Sequence, residues 1–191
     1  MYYLVFDTET TGLPKNYQAP LEDFDNWPRL VQLAWQFYDG DGNLWEEESI
    51  IVKPEGFTIP EEVAKIHRVS QERAMNEGVP LDEALNRFAD AVSRAHFLVG
   101  HNIDFDDKIV GSEFLRSQRD NVLQQATKVC TMKLGVNLCR LPGRSGFKWP
   151  NLAELHQFLF QENFSDAHDA LVDVKACARC FFEMKRRGII N

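Results

Sequence analysis

Five aromatic or branched residues, Tyr2 to Phe6, stand together before the acid Asp7. Such a run suits a pleated, buried surface and predicts a short strand that stops at Asp7. A polar loop reaches to Pro28. Leu30 to Tyr38 alternates imperfectly and predicts a second strand. Asp39-Gly40-Asp41-Gly42 supplies turn chemistry, and Trp45 to Val52 predicts a third strand, close enough to form an antiparallel hairpin with the second.

The period then changes. Pro60 opens a short helix running to about Ile66, and Ser70 offers a cap for another short turn. Apolar residues at 81, 84, 85, 88, 91 and 92 give Pro80 to Ala95 the spacing of an amphipathic helix. Phe97 to Val99 predicts a fourth strand, and apolar positions 105, 109, 110 and 114 mark the helix that follows it. Lys128 to Thr131 predicts a fifth strand, entering a helix around Met132 to Leu138. A Pro, Gly and Ser loop is expected at 142 to 146, and Asn151 can cap a helix carrying Leu152, Leu155 and Leu159. A last helix is expected from Ala167 to Arg187, ended by Gly188 after three basic residues. This order predicts a single α/β domain spanning residues 1–191, with a mixed sheet covered by helices.

Composition supports that picture. The chain has 191 residues, 44% apolar and 26% charged, a profile that suggests neither disorder nor a membrane span. The N-terminal apolar run is too short for a signal peptide or a transmembrane helix, so a cytoplasmic protein is expected. Cys130, Cys139, Cys177 and Cys180 match no standard zinc spacing and read as plain thiols. The net charge of −8 argues against tight wrapping of nucleic acid. Charge is uneven, however: Val122 to Ala153 holds no acid, while Lys128, Lys133, Arg140, Arg144 and Lys148 offer a phosphate-facing surface or simply a solvated basic loop.

The candidate chemistry lies in acids at element ends. Asp7 and Glu9 are two apart in extended backbone and point the same way. Two carboxylates sharing a face are costly unless a cation sits between them, and Mg²⁺ prefers such oxygens; otherwise one caps a turn and the other faces water. Thr10-Thr11-Gly12 suits a tight turn whose amides line the same place. Asp104, Asp106, Asp107 and Glu113 follow the fourth strand, where α/β proteins place their chemistry. Position favours Asp104, whereas Asp106 and Asp107 lie further into the helix and suit capping. His168 and Asp173 begin the last helix, roughly 140° apart if both are helical. His168 is either a general base or an ordinary cap, and Asp173, with Cys177 at i+4, stands on a face where an acid wants a partner. Asp169 suits capping.

At these residues the sequence resembles the DEDD exonucleases of the subgroup with histidine, especially the epsilon-subunit exonucleases of bacterial DNA polymerase III. Asp7-Thr-Glu-Thr-Thr-Gly12 resembles the first motif, His101-Asn-Ile-Asp-Phe-Asp106 the second, and His168-Asp-Ala-Leu-Val-Asp173 the third. The resemblance implies a ribonuclease H-like five-stranded fold and hydrolysis of DNA from its 3′ end, preferably at single-stranded or frayed ends. The implied products are 5′-mononucleotides, and the implied settings are DNA replication and repair. It implies two divalent cations, Mg²⁺ with Mn²⁺ able to substitute, held by Asp7, Glu9, Asp104 and Asp173, with His168 as general base. Thr10, Thr11, Gly12, Leu13, His67 and Asn102 would meet the substrate.

Two departures bear on substrate preference: Arg68 stands where epsilon subunits usually have glycine, and the loop from Pro14 to Pro28 is longer and more acidic. The chain ends at Asn191 without the tail that attaches an epsilon subunit to its polymerase, so an independent exonuclease or a catalytic-domain homologue is expected rather than a replicase subunit. RNA is the alternative substrate, since identical metals cut both sugars. A nucleic-acid-binding protein without catalysis is the remote alternative.

Overall fold

The computed structural model describes residues 1–162 and 169–190. Its central strand is β1 (Tyr2–Thr10), which pairs antiparallel with β2 (Leu30–Asp39); β2 pairs antiparallel in turn with β3 (Leu44–Ile51). On the other side β1 pairs parallel with β4 (Phe97–Gly100), and β4 with β5 (Thr127–Cys130). The sheet order is β3-β2-β1-β4-β5, a ribonuclease H-like mixed sheet of five strands. Helices α1 (Glu61–His67), α2 (Gln71–Glu77) and α3 (Leu81–Arg94) follow the hairpin, and α4 (Ile103–Arg116) follows β4. After β5 come α5 (Thr131–Cys139), α6 (Leu152–Phe160) and α7 (Ala170–Arg186). No helix among the described residues is long and apolar enough to cross a membrane.

The two faces of β1 sort the core. Leu4 and Phe6 pack with Trp35, Phe88, Ile109 and Phe114 on the side of α3 and α4. Tyr3 and Val5 pack with Val174, Cys177 and Phe181 on the side of α7. The apolar stripe expected for α3 is the buried face, with Phe88 set against Phe6 and Trp35 at 5.1 and 5.5 Å between ring centroids. All four cysteines are free and buried, as plain packing residues.

Two expectations from the sequence change. β1 does not stop at Asp7: it runs to Thr10, because β2 keeps pairing with it through Asp7↔Ala34, Thr8↔Leu33 and Glu9↔Gln32. Its pairing with β4 ends earlier, at Val5↔Val99, where β4 gives way to α4. The last residues of β1 therefore have a hydrogen-bonded neighbour on one side and an open edge on the other. The expected loop at 142–146 is a small antiparallel ribbon, β6 (Pro142–Gly143) with β7 (Gly146–Phe147), which carries Arg144 at its tip.

Local chemistry accounts for the helix ends. The Ser70 side chain accepts from Arg73 N at 3.1 Å and caps α2, and Asn151 forms a full capping box with Glu154 on α6. Arg68 closes α1 at φ 62°, in the left-handed region that glycine takes without strain. A glycine at this position would fit the same backbone.

Buried Glu113 on α4 ties the start of β2 in place. Its Oε1 accepts from Leu30 N at 3.0 Å and Arg29 Nε at 2.9 Å, with Arg116 at 3.4 Å. Glu113→Ala leaves the two guanidiniums and a buried amide without that carboxylate. We expect a loss of about 3 kcal/mol in urea unfolding; a loss under about 1 kcal/mol would show that the pairing is replaceable.

Candidate active site

The open edge of β1 is where the two helix layers meet. Asp7 and Glu9 continue the face of Tyr3 and Val5 and so point towards α7, whose first turn carries Asp173. One carboxylate oxygen from each of the three lies within 4.8 Å of the others. Asp169 is the N-cap of α7, accepting from Leu171 N at 3.0 Å and Val172 N at 3.3 Å. The reading of Asp169 as a capping residue thus holds.

A fourth carboxylate reaches this edge from the opposite layer, and it is Asp106. The residue is 3% exposed, and its Oδ1 accepts from Thr8 N at 3.0 Å and from Thr8 Oγ1 at 2.6 Å. Thr8 lies between Asp7 and Glu9 on the strand, so Asp106 is fastened directly to the acidic pair. Asp104, which position had favoured, is elsewhere: its side chain is 58% exposed and pairs with Lys133 Nζ at 2.5 Å. The reason is helical geometry. Two residues in a helix are about 200° apart, so when Asp106 faces the sheet Asp104 must face solvent.

Crowding changes the acids. Burial, followed by the charges of Asp106, Asp173 and Glu9, holds the Asp7 carboxyl well above the usual carboxylate range. Burial and the charges of Asp173, Asp106 and Asp169 push Glu9 to about 8. Burial also raises Asp106 to about 7, against the hydrogen bonds from Thr8 that lower it. Among the described residues, the charged groups acting on Asp7 and Glu9 are acids. Such a site fits a divalent cation: it gathers hard oxygen ligands whose mutual repulsion a positive charge would relieve.

A pH dependence follows. In metal-free protein Glu9 keeps its proton in the folded state up to about 8, whereas unfolded it ionises near 4.5. The folded state therefore binds more protons across that window, and stability should fall as pH rises through it. Mg²⁺ binds the ionised site and should stabilise more at pH 8 than at pH 5. Thermal melts with Mg²⁺ and with EDTA at both pH values check this; equal Mg²⁺ shifts would contradict it.

The other candidate residues surround this edge. Thr10 Oγ1 donates to Gly12 O at 2.6 Å, and Thr11 Oγ1 accepts from Arg29 N at 2.9 Å, so both hydroxyls shape the turn. Gly12 has φ +150°, and Leu13 is 74% exposed beside it. His67 is buried, and burial lowers its pKa; Nδ1 accepts from Val69 N at 3.2 Å, and the ring faces the backbone of Thr10. Its buried Nε2 has no full hydrogen bond among the described residues.

Asn102, at φ 66°, is exposed at the start of α4. His101 beside it is a clamp: Nε2 meets Pro150 O and Nδ1 meets Thr131 Oγ1, both at 3.0 Å. A carbonyl only accepts, so Nε2 carries the proton that Pro150 O receives. Burial pushes this histidine down to about 4, so it stays neutral.

Of the basic candidates, Lys128 pairs with Asp107 at 2.9 Å, Lys133 with Asp104, and Lys148 with Glu154 at 2.5 Å. Arg140 Nε donates to Asn137 O at 3.3 Å, and Arg144 is exposed on the ribbon. His168 lies outside the described residues.

Comparison with known proteins agrees with this architecture. No curated protein matches the chain by sequence. Among solved structures, Escherichia coli exonuclease I in complex with a dA16 oligonucleotide is similar with a TM-score of 0.74 and 20% identity, covering 97% of this chain and 41% of that one. Exonuclease I from Methylocaldum szegediense gives 0.76 at 20% identity, covering 97% and 40%. The zinc-bound form of the E. coli exonuclease I complex with single-stranded DNA gives 0.75 at 23%, covering 97% and 40%. The chain thus spans about two fifths of these proteins, and the likeness is one of fold. The family model described as Exonuclease, RNase_T, matches residues 4–181, nearly the whole chain: the protein belongs to the RNase_T exonuclease family.

Proposed function

We propose that the chain is a divalent-metal-dependent exonuclease that removes 5′-mononucleotides from the 3′ end of DNA, with single-stranded or frayed ends preferred. The observation that carries this reading is the meeting of Asp7, Glu9 and Asp173 within 4.8 Å, with Asp106 tied to Thr8 beside them. Asp7, Glu9 and Asp173 would hold one cation. Asp106 takes the place first given to Asp104, as the acid that with Asp7 serves a second. When bound, Mg²⁺ or Mn²⁺ supplies positive charge against the phosphodiester oxygens and the leaving 3′ oxygen, and makes water more acidic.

The protein's own groups do the rest. His168 accepts a proton from the attacking water, a task that suits an imidazole near neutral pH. Thr8 holds Asp106 in one orientation through two hydrogen bonds, which keeps the acid aimed at the edge of β1. Leu13 and the turn Thr10-Thr11-Gly12 offer an apolar contact and a fixed backbone for the terminal nucleotide. His67 Nε2 and Asn102 offer polar contacts, and Arg144 and Arg140 a peripheral attraction for phosphate.

DNA is favoured because the solved relatives by fold hold dA16 and single-stranded DNA, in one case with zinc. Matched single-stranded DNA and RNA with labelled 3′ ends test the choice. We expect faster release from DNA, and faster release from RNA would assign the chain to the exoribonucleases instead.

A further inference from the structure

At the start of α4, the helix that carries Asp106, lies a cleft of about 480 Å³. Its walls are Tyr17, Phe105, Met132 and Trp149, and its rim carries Asn102 and Lys108. Trp149 is 64% exposed and Tyr17 47%. Both line the same cleft, so their exposed faces belong to one patch, the kind of surface that marks an interaction site, whereas a single exposed ring does not. Both walls are also anchored. Lys108 on α4 donates to Tyr17 O, which fixes the loop that carries the phenol ring. His101 grips Pro150 O at 3.0 Å, which fixes the residue next to Trp149 to the junction between β4 and α4.

The geometry points to a base-stacking subsite: an unpaired nucleobase of the strand whose 3′ end lies at the carboxylates stacks against Trp149 in this cleft. The inference rests on the nuclease reading and names the substrate class of that site. Three observations select the occupant. Flat apolar walls suit any base, since every base has a π-face. The cleft also lies close to the site in the fold, since Phe105 in its lining directly precedes Asp106 on the first turn of α4. Charge also fits: Lys133 neutralises Asp104 at 2.5 Å, which leaves Lys108 as the net charge on the lining, facing the phosphate of the stacked nucleotide. A base held this way cannot remain paired, so the subsite selects single-stranded or frayed ends.

Binding tests this apart from catalysis. Fluorescence anisotropy of a fluorescein-labelled oligothymidylate is followed in Ca²⁺ with wild type, Trp149→Ala, Trp149→Phe and, as control, Trp45→Ala, whose exposed indole lies on β3 at the far edge of the sheet. Trp149→Ala should raise Kd roughly tenfold, Trp149→Phe should restore most of the affinity, and Trp45→Ala should match wild type. Moving one abasic nucleotide stepwise from the 3′ end should abolish the Trp149→Ala penalty at one position. Wild-type affinity in Trp149→Ala overturns the proposal, as does a penalty that persists at every abasic position. A wild-type protein that binds the oligonucleotide with these dependences but releases no nucleotide in Mg²⁺ overturns the nuclease reading and leaves the subsite standing.

Discussion

Asp7→Asn is expected to abolish Mg²⁺-dependent nucleotide release, by roughly a thousandfold or more, in a protein that still folds. Asp7 stands at the centre of the acidic group, acted on by Asp106, Asp173, Glu9 and Asp169 together. An amide of the same shape supplies no negative charge to a cation. The same change removes repulsion, so metal-free Asp7→Asn should melt at a higher temperature than wild type at pH 8, and Mg²⁺ should raise its melting temperature less. Activity and stability thus move in opposite directions, which separates a lost ligand from a damaged fold. Release within tenfold of wild type would remove Asp7 from the chemistry.

The second large effect distinguishes two acids that lie two residues apart in the sequence. Asp106→Ala is expected to lower the release rate by on the order of a hundredfold or more, while Asp104→Ala stays within a few-fold of wild type. Asp106 is 3% exposed and bonded to Thr8, whereas the Asp104 side chain is 58% exposed and spends its charge on Lys133. Asp106→Asn is the milder companion, because its amide oxygen can still accept from Thr8 while the charge is lost. Steady-state rates on single-stranded DNA measure all three. A large loss in Asp104→Ala with Asp106→Ala unimpaired would reverse the assignment.

The same pair shows what the sequence could reveal. The strand pattern was legible because Tyr2 to Phe6, Leu30 to Tyr38 and Phe97 to Val99 are apolar runs bounded by polar turns. Asp7 and Glu9 were legible as a pair because side chains two apart in a strand share a face. Asp106 was misread because position at the strand end was weighed without helical phase. Ile103, Ile109 and Val110 lie at i−3, i+3 and i+4 from Asp106, so an acid there stands on the stripe that faces the sheet, and Asp104 does not. The same rule picks out Asp173, with Ala170 and Cys177 at i−3 and i+4, both buried. The extension of β1 to Thr10 had no local signal, since it depends on β2 continuing past the point where β4 leaves. Nor could spacing show the clamp from His101 to Pro150, which joins residues 49 apart in the chain. His168 was singled out from the third motif, and its role as general base remains the proposal made above.

Direction, metal dependence and product size can be read together from one time course. A single-stranded DNA oligonucleotide labelled at its 5′ end is incubated with the protein in Mg²⁺ and, in parallel, in EDTA. We expect a ladder shortening one nucleotide at a time from the 3′ end, present in Mg²⁺ and absent in EDTA. Immediate release of the labelled 5′ nucleotide, a single internal cut, or equal shortening in EDTA would contradict it.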